Sequence, residues 1–403
     1  MEKHIPKGYK KTEVGVIPED WVVTSLKKIS VIKRGASPRP INSPRWFSNQ
    51  GRGWVRISDV TKANTYLMNV SQHLSPIGEQ NSVAVEASDL IMSICATVGV
   101  PIILGIPACI HDGFVLFKNY EQILEKMFFF YFLKNYSSSA SSKGQSGTQK
   151  NLNTSIVGNI LIPVPQKTEQ KAIATALSDV DNLITSLEQL IEKKKAIKQG
   201  TMQELLTGRR RLKGFGKGKG HKQTELGMIP EDWEIKSFGD VLSVKHGKSQ
   251  KEVEIENGKY PILATGGIIG WSNSYLANTP SVLIGRKGTI DKPQYMDTPF
   301  WTVDTLFYTE INPSNCAKYL YYLFKLIPWY SYNEASGVPS LNATTIEKIR
   351  KAFPSTKREQ EVISEALTLI DSEIENLEAK VDKYKQIKQG MMQNLLTGRI
   401  RLV

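Results

Sequence analysis

Cysteine, histidine and long apolar runs are all scarce in this chain of 403 residues. The three cysteines (Cys95, Cys109, Cys316) are widely spaced, odd in number and form no CxxC pair. That excludes a disulfide framework and a zinc knuckle, and it fits buried thiols in a reducing cytoplasm. The five histidines show neither HExxH nor HxH spacing, so no metal site is assigned. The most apolar stretches, near 98–110 and 127–133, fall well short of the ~20 residues that span a bilayer. The amino-terminal residues have no apolar core followed by small residues, so no secretory signal is expected. A GxxxxGK[ST] phosphate loop and a GxGxxG fingerprint after a strand are both missing. Asp232, Glu234 and Lys236 have the look of a nuclease carboxylate-lysine set, but the equivalent residues of the first copy described below are Asp20, Val22 and Thr24. No catalytic residue is assigned.

An acidic balance is also missing. Lys+Arg number 52 against 39 Asp+Glu, a net charge of +13, which argues for a polyanionic partner such as nucleic acid or anionic lipid. The excess is uneven: +7 over residues 1–165 and +10 over 193–222, but −1 over 223–354. With 40% hydrophobic and 23% charged residues the chain is globular, and its length suits two or three domains.

The chain is written twice. TEVGVIPEDW at 12–21 returns as TELGMIPEDW at 224–233, and IEKKKAIKQGTMQELLTGRRRL at 191–212 returns as VDKYKQIKQGMMQNLLTGRIRL at 381–402 with 15 of 22 positions identical. A fainter echo aligns DLIMSICATVG at 89–99 with SVLIGRKGTID at 281–291. Each half therefore has an opening motif, a variable body and a helical tail. Leu177, Val180, Ile184, Leu187 and Ile191 in one tail, and Leu367, Ile370, Ile374, Leu377, Val381 and Tyr384 in the other, follow the 3,4 spacing of a coiled-coil seam. Pro165 and Pro354 precede the helices, Thr356 and Glu359 have capping-box spacing, and Gly208 and Gly398 suit left-handed caps. Each helix should be on the order of 60 Å long, and the economical arrangement packs the two antiparallel.

The bodies read as mixed. Strands are expected in VVTSLKKISVIKRG, WVRISDV, DLIMSICAT and GFVLF, then in EIKSFGDVLSVKHG, SVLIGRKGTI and WTVDTLFYTEI. EQILEKMFFFYFLKNY and NCAKYLYYLFKLIPWY read as amphipathic helices whose aromatics belong to the core. The expected fold is α+β: two similar target-binding domains, 1–165 and 224–354, with helical spacers at 166–212 and 355–403 and a Gly/Lys linker at 213–223. Two diverged modules on a helical pair suit two different reading surfaces on one rod-shaped ligand.

The xGxIPEDW opening, the strings LNTSIVGNILIPVPQKTEQ and LNATTIEKIRKAFPSTKREQ before the helices, the heptads and the KQGxMQxLLTGRxRL endings together resemble the DNA specificity subunit of Type I restriction-modification systems. The resemblance covers essentially the whole chain. It implies a non-catalytic cytoplasmic subunit whose two target-recognition domains each read half of a split, asymmetric DNA site, with the helices setting the gap. It also implies two methylation subunits bringing S-adenosylmethionine, and restriction subunits bringing ATP and magnesium chemistry. This chain itself has no NPPY-type methyltransferase tetrad.

Base reading needs planar donors and amides, with phosphate contacts to fix register. The DNA candidates of the first body are Arg34, Arg39, Arg45, Arg52 and Arg56, followed by Lys143, Gln145, Gln149 and Lys150 in a polar loop before the helix. In the second body they are Lys245, His246, Lys248, Arg286 and Lys287, with Asn333 and Ser340 as weaker members. Asn342 matches Asn153 across the copies and reads as structural. Residues identical in both tails suit docking of identical partners: Glu169, Gln170, Gln199, Leu205 and Leu206, and Glu359, Gln360, Gln389, Leu395 and Leu396. Helix-on-helix packing is an equal reading for the leucines. A two-armed protein scaffold and an RNA-binding protein remain alternatives from other classes.

Overall fold

The computed structural model describes residues 5–142 and 152–402. The chain divides into two compact units. The first holds the residues up to Leu187 together with those from Lys380 on, and the second holds Glu188–Ala379. Each unit is thus one body, the first half of the helix that follows it, and the second half of the other helix.

The two long helices are Lys167–Leu206 and Lys357–Leu395. Pro165 and Pro354 stand just before them, where a missing N–H costs nothing. The seam is buried as the spacing requires, with Leu177, Ile184, Ile191, Leu367, Ile374 and Val381 all below a tenth exposed. In each unit the two helix halves run antiparallel. In the first, Lys388 on one helix pairs with the buried Asp181 on the other. In the second, Lys198 pairs with Asp371, the same positions of the repeat. A tyrosine from the body joins each pair: Tyr131 donates to Asp181 at 2.8 Å and Tyr322 to Asp371 at 2.7 Å.

Each body is built on an antiparallel sheet whose first four strands correspond. In the first body they lie in the order Val31–Arg34, Phe114–Lys118, Leu90–Ser93, Pro101–Leu104, with Tyr66–Leu67 added at the edge. In the second the order is Leu242–Lys245, Leu306–Ile311, Ser281–Gly285, Gln294–Met296. The echo at 89–99 and 281–291 is therefore one and the same central strand. A small three-stranded sheet accompanies each, and an amphipathic helix, Lys126–Ser142 or Ala317–Phe324, closes the core with Phe128, Phe129, Tyr319 and Tyr322 buried.

Several expectations change. VVTSLKKISVIKRG and EIKSFGDVLSVKHG each hold two strands with a helical turn between them, Leu26–Ile29 and Phe238–Val241. WVRISDV is a strand only over Gly53–Val55, and the rest forms the helix Ile57–Lys62. The Gly/Lys linker is partly strand: His221–Thr224 pairs with Gly227–Pro230, as Tyr9–Thr12 pairs with Gly15–Pro18. The capping box at the second helix is half made. The Glu359 amide donates to Thr356 Oγ1 at 3.3 Å, but the Glu359 carboxylate goes elsewhere.

It goes to the tail. After the first helix, Arg211 grips Glu359 at 2.5 and 2.8 Å and Asp232 at 2.8 and 3.2 Å. After the second, Arg401 grips Glu169 at 2.6 and 2.9 Å and Asp20 at 2.9 and 2.8 Å. Gly208 and Gly398, at φ +75° and +70°, let the chain turn there, and a Cβ on either would strike Pro230 or Pro18 of the IPEDW motif. Leu205, Leu206 and Met202 enter the second core, while Leu395, Leu396 and Met392 enter the first.

Replacing Arg401 by Ala leaves Glu169, 3% exposed, as an uncompensated buried charge. Urea unfolding of the first unit should lose about 3 kcal/mol, and adding Glu169→Gln should recover part of it. A loss below about 0.5 kcal/mol would show that this clasp contributes nothing net. The same arginine, through its hydrogen bond first, holds the Asp20 carboxyl below its ordinary value. That contribution is complete above about pH 4 and is lost as the pH falls through the lowered folded value, so Arg401→Ala should flatten the acid limb of the stability curve.

Candidate nucleic-acid interface

The repeat makes one end of each main sheet comparable. In the first body the strand ending at Arg34 is followed by Gly35, and in the second His246 is followed by Gly247. A Cβ on Gly35 would stand 2.1 Å from the His111 carbonyl oxygen, and one on Gly247 2.0 Å from that of Val303. Only glycine permits this crossing, which brings the first strand against the turn leading into the second.

In the first body Asp112 organises that turn. Ser37 Oγ donates to its carboxylate at 2.6 Å, Arg39 Nη2 at 3.1 Å, and Arg34 Nε donates to its carbonyl at 2.8 Å. The Ser37 hydroxyl above all, then Arg39, holds the Asp112 carboxyl below its usual range. Beside it His111 accepts from the Gly113 amide at Nδ1, 2.9 Å, and burial pushes its pKa down, so the ring is a neutral strut. Arg34 and Arg39 thus reach solvent together, Arg39 with 69% of its side chain exposed. Arg45 is exposed and lies 3.9 Å over the Trp46 ring. Arg56 donates to Gln72 Oε1 at 3.4 Å, and Gln72 lines a recess of about 480 Å³ with Phe47, Ser48, Asn49, Ser71 and His73.

Arg52 is a correction. Its guanidinium points inward, donating to the Ala108 and Val85 carbonyls at 3.0 and 2.7 Å and to Glu86 at 2.5 Å, so its hydrogen bonds tie strands together. Lys143, Gln145, Gln149 and Lys150 lie outside the described residues.

In the second body His246 sets its ring edge-on to Phe307 at 4.9 Å and stays exposed. The Lys248 backbone is pinned by its amide to Thr302 at 2.8 Å and by Trp301 Nε1 to its carbonyl at 3.0 Å, leaving the ammonium exposed. Arg286 donates to the Asp304 carbonyl at 3.4 Å, a longer counterpart of the bond from Arg34 to Asp112. Lys287 is exposed and bridges to Ser340. Lys245 is set apart, paired with Glu310 at 3.2 Å. Asn333 is a second correction: its amide accepts from Ala335 and Ser340 and donates to the Ala335 carbonyl, so it is consumed in holding its own loop. Asn153 and Asn342 cap the short helices that follow them, accepting at 2.8 and 3.0 Å.

The candidate docking residues fall mostly inside the chain. Glu169 and Glu359 receive the tail arginines. Gln170 accepts from the Glu125 amide at 2.7 Å, and Gln360 from the Cys316 amide at 2.9 Å, each fixing the start of its body's amphipathic helix. Leu205, Leu206, Leu395 and Leu396 are at most 4% exposed. These eight are retained in both copies because both copies make the same internal joint; Gln199 and Gln389 alone of the set are exposed. Missed from the sequence were Asn49, Gln72 and His73, which carry no periodicity and meet only through the fold. Among the described residues no cluster of three metal-ligating side chains occurs, and no helix is long and apolar enough to cross a membrane.

Two versions of one α/β body, each presenting basic side chains at the corresponding sheet end and each locked by its own copy of the arginine joint, define a duplicated recognition protein. The family profile described as the Type I restriction modification DNA specificity domain matches residues 18–199 and 230–388, and the chain belongs to that family. It is 28% identical to the MjaVIII specificity subunit of Methanocaldococcus jannaschii over 338 residues, 75% of this chain and 76% of that one. To the putative MjaX specificity subunit of the same organism it is 26% identical over 425 residues, 98% and 97% of the two chains. The crystal structure of a Type I restriction-modification S subunit from M. genitalium shares the fold, with TM-score 0.60 and 16% identity over 93% of this chain and 96% of that one.

The glycine crossing can be tested directly. Gly247→Ala should cost more than about 2 kcal/mol, because the clash is with backbone. Gly266→Ala, which meets nothing within 4 Å, should change a thermal melt little; equal effects from the two would remove the crossing's structural role.

Proposed function

We propose that this chain is the non-catalytic, cytoplasmic specificity subunit that gives a Type I restriction-modification complex its DNA sequence. Each body reads one half of a split, asymmetric site in double-stranded DNA, and the long helices set the gap. The observation that carries this reading is the duplicated sheet end: the same backbone crossing bears Arg34 and Arg39 in one copy and His246, Lys248 and Arg286 in the other. Identical scaffolds with different side chains suit half-sites that differ. Two methylation subunits dock on the helical region, where Gln199 and Gln389 are exposed in both copies. They supply S-adenosylmethionine chemistry, while restriction subunits supply ATP- and magnesium-dependent work. Another structure of this fold, with TM-score 0.59 and 16% identity, comes from a study of complex assembly and conformational transition in a Type I system; the partners named here rest on family membership.

Selection from random duplexes, with the methylation subunits present, should return two unlike half-sites at a fixed spacing. A continuous palindrome would sink the reading. Exchanging residues 224–354 for the corresponding body of a relative should change one half-site only, and adding a heptad to the first helix should change the gap or abolish binding with each half-site intact. Arg39→Ala and Arg45→Ala should each lower the slope of log affinity against log salt by about 0.9 if each neutralises one phosphate. DNA affinity independent of salt would favour a protein scaffold instead.

A further inference from the structure

Residues 223–354 carry a net charge of −1, so the second body lacks the electrostatic footprint of the first. What it has is an exposed apolar ribbon. Strands Tyr260–Ala264 and Gly267–Ser272 form a hairpin joined by Thr265 and Gly266. A register shift between Ile262 and Leu263 breaks the alternation of faces. Next to the turn, Ile268 and Ile269 are 57% and 49% exposed on successive positions. Two large aliphatic side chains at a hairpin tip have no core to enter.

The tip is held in one place. Gln294 Nε2 donates to the Ala264 carbonyl at 2.9 Å and to that of Thr265 at 3.4 Å, and the Val303 amide donates to Leu263 at 3.1 Å. Val303 is the residue crossed by Gly247, and its neighbours Thr302 and Asp304 take the bonds from Lys248 and Arg286. The tip therefore stands at the end of the body where Lys248, Arg286 and Lys287 gather, and none of these three pairs with a carboxylate among the described residues. Of the nearby acids, Glu254 bridges to Ser272 through its backbone with its carboxylate against Gly270, and Asp304 lies exposed beside the three cations. A two-stranded ribbon fits the major groove, where an apolar side chain reads the thymine methyl group.

We propose that the hairpin tip enters the major groove of the second half-site, with Ile268 and Ile269 reading thymine through its methyl group and Lys248, Arg286 and Lys287 holding the flanking phosphates. The first body has no such ribbon. Its corresponding span contains the helix Ile57–Lys62 and opens instead onto the recess with Asn49, Gln72 and His73. The two half-sites are then read by different physics, amides and arginines in one and apolar contact in the other. This rests on the specificity-subunit reading above.

The test uses the full-length chain with its methylation subunits and duplexes carrying uracil in place of thymine, one position at a time, across the second half-site. Loss of the methyl group should weaken binding by the parent roughly threefold to fivefold at one or two positions. The double variant Ile268→Ala, Ile269→Ala should bind the parent site more weakly and lose that sensitivity, while keeping its preference at the other bases of the second half-site, which also reports that the second body folds. Lys248→Ala should weaken all duplexes alike and leave the uracil effect in place. Uracil without effect at every position, or equal effects on parent and double variant, would overturn the hairpin assignment while the split motif stands. A parent that selects no second half-site would overturn the specificity reading, and this proposal with it.

Discussion

The constraint on which the molecule depends is the burial of a glutamate in the first turn of each long helix. Glu169 and Glu359 are 3% and 2% exposed, and a carboxylate so placed is tolerable only if a cation meets it with good geometry. The cation in each case is the arginine that ends the other helix. Because Arg401 and Arg211 also engage Asp20 and Asp232, one guanidinium fixes three things at once: a helix start, a helix end and the opening motif of a body. The glycines that precede these arginines, the prolines they lie against and the buried tryptophans follow from that requirement. The copies differ in one detail: Trp21 Nε1 donates to Glu169 at 3.1 Å, whereas the buried Trp233 Nε1 has no partner.

What could be read from the sequence was what repeats. The seam leucines and isoleucines, the left-handed glycines and the aromatic core helices follow from spacing and backbone chemistry, and all are found in place. What could not be read was why certain polar residues repeat. Glu359 stands three residues after Thr356 and so has the signature of a local cap, yet its carboxylate reaches Arg211, a long-range partner that no local pattern encodes. Gln170 and Gln360 look like surface residues and prove to be buried brackets for a neighbouring helix. Repetition indicates shared use of a residue without distinguishing an internal partner from an external one.

The recognition surfaces were legible only in outline. Arginines are dense in the first body, but Arg52 is spent on strand carbonyls while Arg39, paired with Asp112, keeps most of its side chain in solvent, a difference that only the folded loops decide. In the second body composition was nearly silent, because an exposed isoleucine pair has no sequence signature that separates it from a buried one. The bulge and the turn put Ile268 and Ile269 outside, and both are properties of pairing.

The joint made by Arg401 needs no peptide bond between its tail and the opening motif it holds, whereas Arg211 meets the opening motif, at Asp232, a short stretch ahead in the chain. Since the two are otherwise alike, covalent continuity is not what builds them. A polypeptide of half this length, with one opening motif, one body and one tail, already contains both sides of the contact. Two copies of such a chain could exchange tails and satisfy every group, so an ancestor assembling as a twofold dimer is mechanically sufficient. Fusion of two such genes would then have freed each body to diverge while the shared joint held both to a common pattern.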